Sequence, residues 1–195
     1  MISNLVYHFT DSVRLPWILD AGEIRPGTCR HLEGWPDMNY VWAITNPIGS
    51  LSAAAVIGTM GTLYRNCLVW KVRFTLSADD FEPFLETIKH VPGWCDDHTT
   101  DVYETACGDD PADWRTHYGP IPKAKWLAIH ARSYLSDWRE IPRDLDVHPA
   151  MIEGKPVRMI MFGGRGFSSI RLNENPMSYG FHNVGICGEE CPANR

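Results

Sequence analysis

Leu5-Val6-Tyr7-His8-Phe9-Thr10, followed by Leu15 to Gly22 and then by Tyr40-Val41-Trp42-Ala43-Ile44-Thr45, is the stretch on which the reading of this chain turns. The first segment is a short apolar strand with His8 set inside it. The second is an amphipathic helix, and Gly22 suits its C-terminal end. The third is another strand, ending in a threonine. A histidine within an apolar strand has two ring nitrogens to satisfy, so it either finds core partners or faces a site. Thr10 lies two residues further on and shares the strand face with His8, and Tyr40 and Trp42 share a face in the same way.

Working outward, the chain has 195 residues with 44% hydrophobic and 22% charged side chains, enough apolar volume for one domain or for one domain with an appendage. A net charge of −6 argues against a broad nucleic-acid footprint, which would be basic. Eight tryptophans cluster in turns and short strands, a density that suits a pocketed enzyme or an adhesive interface. No apolar run approaches the roughly 20 residues needed to cross a membrane, and the N-terminus lacks the basic and apolar regions of a secretory signal. The expectation is a cytoplasmic protein whose cysteines 29, 67, 95, 107, 187 and 191 are thiols. Cys187 and Cys191 have a spacing within the wider range of zinc ligands, but a second pair would have to come from scattered Cys95, His98 or His182. The segment reads as a polar tail, with no metal.

Along the chain, a strand over 4–9 is followed by a helix capped by Asp11 or Ser12, with Val13, Pro16, Trp17 and Leu19 on one face. Glu23 to Gly27 is a short extended exit, residues 28–39 a loop, Tyr40 to Ile44 a strand, and Ser50 to Ile57 a short helix. From Cys67 to Leu76, apolar Leu68, Trp70, Val72, Phe74 and Leu76 alternate with Val69, Lys71, Arg73 and Thr75, the pattern of a strand. Ala78-Asp79-Asp80 begins an acidic helix running to about Lys89, and a further helix spans 99–107. Strands follow at 114–118, 126–130 and 157–162. Gly163 to Phe167 then turns the chain towards a hairpin partner at 170–172. The Gly163-Gly-Arg-Gly166 run lacks the spacing of a phosphate loop and reads as that turn.

The order strand-His-x-Thr, helix, glycine, strand resembles the start of the ADP-ribosyltransferase-like fold, over roughly residues 4–130, and of its His-first members, the toxin- and phage-borne ones. That resemblance implies an α+β fold with split mixed or antiparallel sheets and flanking helices. It would span residues 1–145, with 146–195 as a β-hairpin extension packed on the same domain. It implies NAD as co-substrate, held by His8, Phe9, Thr10, Tyr40, Trp42 and Thr45: the histidine on the ribose, a neighbouring threonine at the nicotinamide amide, an aromatic ring stacked on the pyridinium. Transfer from NAD passes through an oxocarbenium-like state, which a carboxylate near the ribose stabilises. Where the family places a glutamate, this chain offers Asp113, with Glu104 as the other candidate and Arg115 or His117 as phosphate contacts.

The implied function is ADP-ribosylation of a macromolecular target. The acidic balance favours a protein over a nucleic acid, and no membrane is involved. The missing glutamate supports an alternative, the same fold without catalysis, blocking a partner complex through a tryptophan-rich surface. An RNA 2′-phosphotransferase would want several basic residues converging on a phosphate, and only Arg14, Arg25 and Arg30 lie near the first helix. A small zinc-stabilised interaction protein is the remaining rival.

Overall fold

Alternation of apolar and polar residues sets the central strands, and the computed structural model describes them within residues 4–26, 39–49, 58–105, 109–171 and 179–181. In chain order the elements are β1 (Leu5–Asp11), α1 (Leu15–Ala21), β2 (Glu23–Ile24), β3 (Tyr40–Ile44), α2 (Gly58–Arg65), β4 (Lys71–Ser77), β5 (Glu82–Pro83), α3 (Phe84–Thr87) and α4 (Asp96–Thr105). They continue with β6 (Trp114–Tyr118), β7 (Ile121–Pro122), β8 (Ala128–Arg132), β9 (Arg139–Ile141), β10 (His148–Ile152), β11 (Lys155–Phe162), β12 (Arg165–Arg171) and β13 (Tyr179–Phe181).

A seven-stranded sheet runs β5-β6-β3-β1-β4-β8-β9, a four-stranded sheet β10-β11-β12-β13, and β2 pairs with β7. Every recorded pairing is antiparallel. The fold is therefore α+β with antiparallel sheets. The seven-stranded sheet is not evenly knit. β1 pairs with β4 over seven positions, from Leu5↔Ser77 to Asp11↔Lys71, whereas β1 and β3 are registered only at Tyr7↔Ile44. Two well-laddered halves, β5-β6-β3 and β1-β4-β8-β9, thus meet at a narrow seam.

Residues directly opposite in an antiparallel ladder point to the same side, so the register sorts the side chains. One face carries Val6, Val41, Ala43, Val72, Phe74, Leu76, Ile129, Ala131 and Ile141, packed in one core with Leu15 and Leu19 of α1 and with Trp126. Trp126 is fully buried, edge-on to Phe74 at 5.0 Å, and its indole N–H donates to the Ile121 carbonyl at 3.3 Å. The opposite face of the β3–β6 half is covered by α3, the single turn that follows it and α4, through Phe84, Ile88 and Val102, which pack with Trp42, Trp94 and Trp114.

Helix α1 starts where Asp11 Oδ1 accepts the N–H groups of Val13 and Arg14 at 2.9 and 3.0 Å, and Pro16 sits in its first turn, where no N–H is needed. It stops at Gly22, whose φ of 67° is the left-handed cap conformation. The C-terminal strands share the main core: Ile160, Phe162 and Phe167 belong to it, and Trp70 packs edge-on to Phe162 and Phe167 at 5.4 and 5.3 Å. Gly163 makes that approach possible, because a Cβ there would lie 3.1 Å from the Trp70 ring.

Several expectations from sequence need correction. The acidic helix over 78–89 is broken into single turns at Ala78–Asp80 and Ile88–His90, β5 and α3, because Glu82 and Pro83 pair with Thr116 and Arg115 of β6. Residue 67 does not begin a strand: Cys67 has φ 56° in the turn after α2, and β4 starts at Lys71. The strand expected at 126 starts at Ala128, since Trp126 ends a single-turn segment. Glu23 and Ile24 are a strand, not merely an exit, and the helix expected from Thr99 begins at Asp96. The helix expected over 50–57, and the Cys187–Cys191 tail, lie outside the described residues.

Candidate functional site

His8 sits at the seam. Its Nδ1 lies 2.7 Å from the Trp42 carbonyl oxygen, which can only accept, so Nδ1 carries the proton and donates. The imidazole takes a β3 carbonyl beside the point where the β1–β3 ladder is registered at a single position. Burial pushes the ring below its ordinary pKa, the Trp42 carbonyl pulls it part of the way back, and the Arg14 guanidinium lowers it further. The ring is therefore neutral near pH 7, with Nε2 an acceptor. Thr10 is on the same face of β1, half-buried, opposite Val72.

The other residues marked out by sequence fall in three places. Tyr40 and Trp42 share a face of β3, but Tyr7↔Ile44 sets that face on the Tyr7 side of the sheet, opposite to His8 and Thr10. Trp42 packs among aromatic rings, 4.9 Å from Phe84 and 6.1 Å from Trp114, and Tyr40 is edge-on to Tyr118 at 5.6 Å. Phe9 is also on the far face, 6.0 Å from Trp138.

Thr45 and Asp113 are brought together. The Thr45 hydroxyl donates to Asp113 Oδ1 at 2.9 Å, and its N–H to the Asp113 carbonyl at 3.1 Å. Asp113 is exposed beside a recess of about 40 Å³ lined by Ile44, Asn46, Asp109, Asp110 and Trp114. Because Trp114 pairs with Ile44 and Ile44 with Tyr7, Asp113 leads into a strand about 10 Å, two strand spacings, from the His8 strand, and its carboxylate reaches back to Thr45 at the end of β3. Glu104 is exposed on α4 and is not part of this group. His117 donates from Nδ1 to the Asp80 carbonyl at 2.7 Å, and Arg115 Nη1 to the carbonyls of Ala112 and Trp114 at 2.6 and 2.9 Å. Both are committed to local backbone.

A second cluster was not singled out from sequence. Across the outer face of the β1-β4-β8 half stand Tyr7, Lys71, Arg73, His130 and Arg132, with Trp138 and Glu140 alongside. The Arg73 guanidinium lies over the Tyr7 ring at 5.2 Å and the Trp138 ring at 4.7 Å, and donates to the Pro47 carbonyl. Arg132 also lies over the Trp138 ring, at 5.1 Å. The alternation of β4 already separated Lys71 and Arg73 from the apolar positions. Only the register could put Arg132 opposite Lys71 and His130 opposite Arg73.

Among the described residues no group of His, Cys, Asp and Glu is arranged to hold a metal ion, and no helix is long and apolar enough to cross a membrane. No family model, curated protein or solved structure matches the chain.

Proposed function

We propose that the chain is an NAD-dependent ADP-ribosyltransferase that modifies a macromolecular target, a protein in preference to a nucleic acid. The observation that carries the reading is the seam: a sheet divided between its first and third strands, with a neutral histidine at the division. With Nδ1 committed to the Trp42 carbonyl, Nε2 is an acceptor suited to a ribose hydroxyl, and Thr10 stands beside it on the strand. In the proposed reaction the bond from the ribose C1′ to nicotinamide breaks and nicotinamide leaves with the electron pair. A nucleophilic side chain of the target bonds to C1′ and gives its proton to a carboxylate. Asp113, held by Thr45 at the end of β3, is the better placed acid, because Glu104 is exposed on α4 and is not tied to β3 or β6 by any hydrogen bond among the described residues.

The acidic balance of the chain supports a protein target. The second reading, a binding protein of this fold that blocks a partner without turnover, draws on one observation: the Trp42 ring packs with Phe84 and Trp114 and is not presented beside His8.

Nicotinamide release from NAD tests the choice, with His8→Ala and Asp113→Ala as controls. Release by the unaltered chain that falls at least 100-fold in both variants is the expected result. NAD binding without release would favour the blocking reading, and the absence of both binding and release would overturn the transferase.

A further inference from the structure

We infer that the outer face of β4 and β8 is a binding site for a phosphate group, with Lys71, Arg73 and Arg132 as its cationic ligands. The site lies on the sheet face opposite His8 and goes beyond the NAD reading. Lys71 and Arg132 stand directly opposite each other in the ladder, and Arg73 is two residues from Lys71 on the same face. Like charges directly opposite destabilise a sheet. Among the described residues, none of the three is paired with a carboxylate. Asp11, opposite Lys71, is taken up by Arg14 and by the N–H groups entering α1, and Glu140 stands opposite His130.

The cations are also held in place. Arg73 lies over both the Tyr7 and Trp138 rings, Arg132 lies over Trp138, and the Lys71 ammonium lies 5.1 Å from the Tyr64 ring. Four polar atoms in this patch are buried without a hydrogen-bond partner: Arg73 Nε, Arg132 Nε, His130 Nδ1 and Trp138 Nε1. All but one are obligate donors, so the patch is short of acceptor oxygens. Size decides the class of ligand. The three positions span about 7 Å along a strand and about 5 Å across the ladder, the footprint of one phosphate or a pyrophosphate and not of a nucleic-acid strand. Three neighbouring cations on one face exceed what a single carboxylate balances and match a dianionic tetrahedral group.

Binding of inorganic phosphate, pyrophosphate and ADP to the full chain, measured by calorimetry at constant ionic strength set with sodium chloride, tests this. The expected result is saturable binding that weakens at least tenfold in Lys71→Gln and in Arg132→Gln, the loss of about one charge-assisted contact. His8→Ala should bind phosphate as before, and Lys71→Gln should leave nicotinamide release unchanged, so the two sites fail separately. Equal binding of all three probes assigns the site to free phosphate, and tighter binding of ADP assigns it to a nucleotide. Heat uptake no greater than with chloride, or binding retained in both variants, overturns the proposal. Should Arg132→Gln fail to fold, Lys71→Gln, which shortens a half-exposed side chain and removes a like-charge contact, decides alone.

Discussion

A neutral imidazole wedged at a seam has a pH signature. The folded protein holds the His8 proton less tightly than the unfolded chain does, so between the two pKa values the unfolded state binds more protons and stability falls as pH drops. His130 shifts in the same direction, first by burial, then by Arg73, with Glu140 opposing. Stability is expected to be full above about pH 6.5 and to decline as pH falls through it. Urea midpoints across pH 5 to 8 measure the slope, and His8→Gln should flatten it. At the same scale, the hydroxyls of Thr87 and Thr116 meet at 2.6 Å in a buried spot between α3 and β6. The Thr87 hydroxyl donates to the Pro83 carbonyl at 3.3 Å, which makes Thr116 the donor of the pair. Thr116→Val removes that one bond while Thr87 keeps its own, and should cost about 0.5–1.5 kcal/mol in denaturant unfolding, with the double valine variant departing from the sum. Thiol chemistry separates two cysteines: Cys95 is exposed and Cys67 buried, so a maleimide should label the first in the native state and the second only on unfolding. The position of His8 within a strand could be read from its neighbours. Its tautomer could not, because the Trp42 carbonyl that fixes it is 34 residues away.

Elements with a strong local pattern were legible. Tyr40–Ile44 and Trp114–Tyr118 form as strands with the bounds read from the sequence. Residues 78–90 misled for a physical reason. Acidic caps and apolar spacing favour a helix locally, but pairing of Glu82 and Pro83 with the β6 edge overrides that preference. Single-turn anchors such as Trp126 also escape periodicity, since three residues carry no period. The core under β4 depends on that side chain, and Trp126→Ala is expected to cost about 3–5 kcal/mol by calorimetry or urea titration.

For the whole molecule, length and composition led to the expectation of one domain or one domain with an appendage, and the C-terminal sheet shares buried residues with the main cluster. Ile160, Phe162 and Phe167 pack in the same cluster as Leu15 and Leu19, and Arg158 pairs with Asp20 at 2.7 Å. A chain cut after residue 145 would expose Trp70 and the outer side of α1. It is expected to lose cooperative unfolding, seen as non-coincident fluorescence and circular-dichroism transitions, whereas the full chain should melt in one step. What the sequence could not convey at this scale is order across the sheet. β1 lies between strands that follow it by about 30 and 60 residues, and only the folded register reveals which of its two edges is loosely held.

That loose edge makes the molecule mechanically anisotropic. Seven ladder positions in parallel share a load applied across β1 and β4, while a load across β1 and β3 falls on one registered backbone pair and one imidazole. A chain tethered through β3 and β4 and stretched should therefore yield first along a line beside His8, its two half-sheets parting as a door does from a single latch.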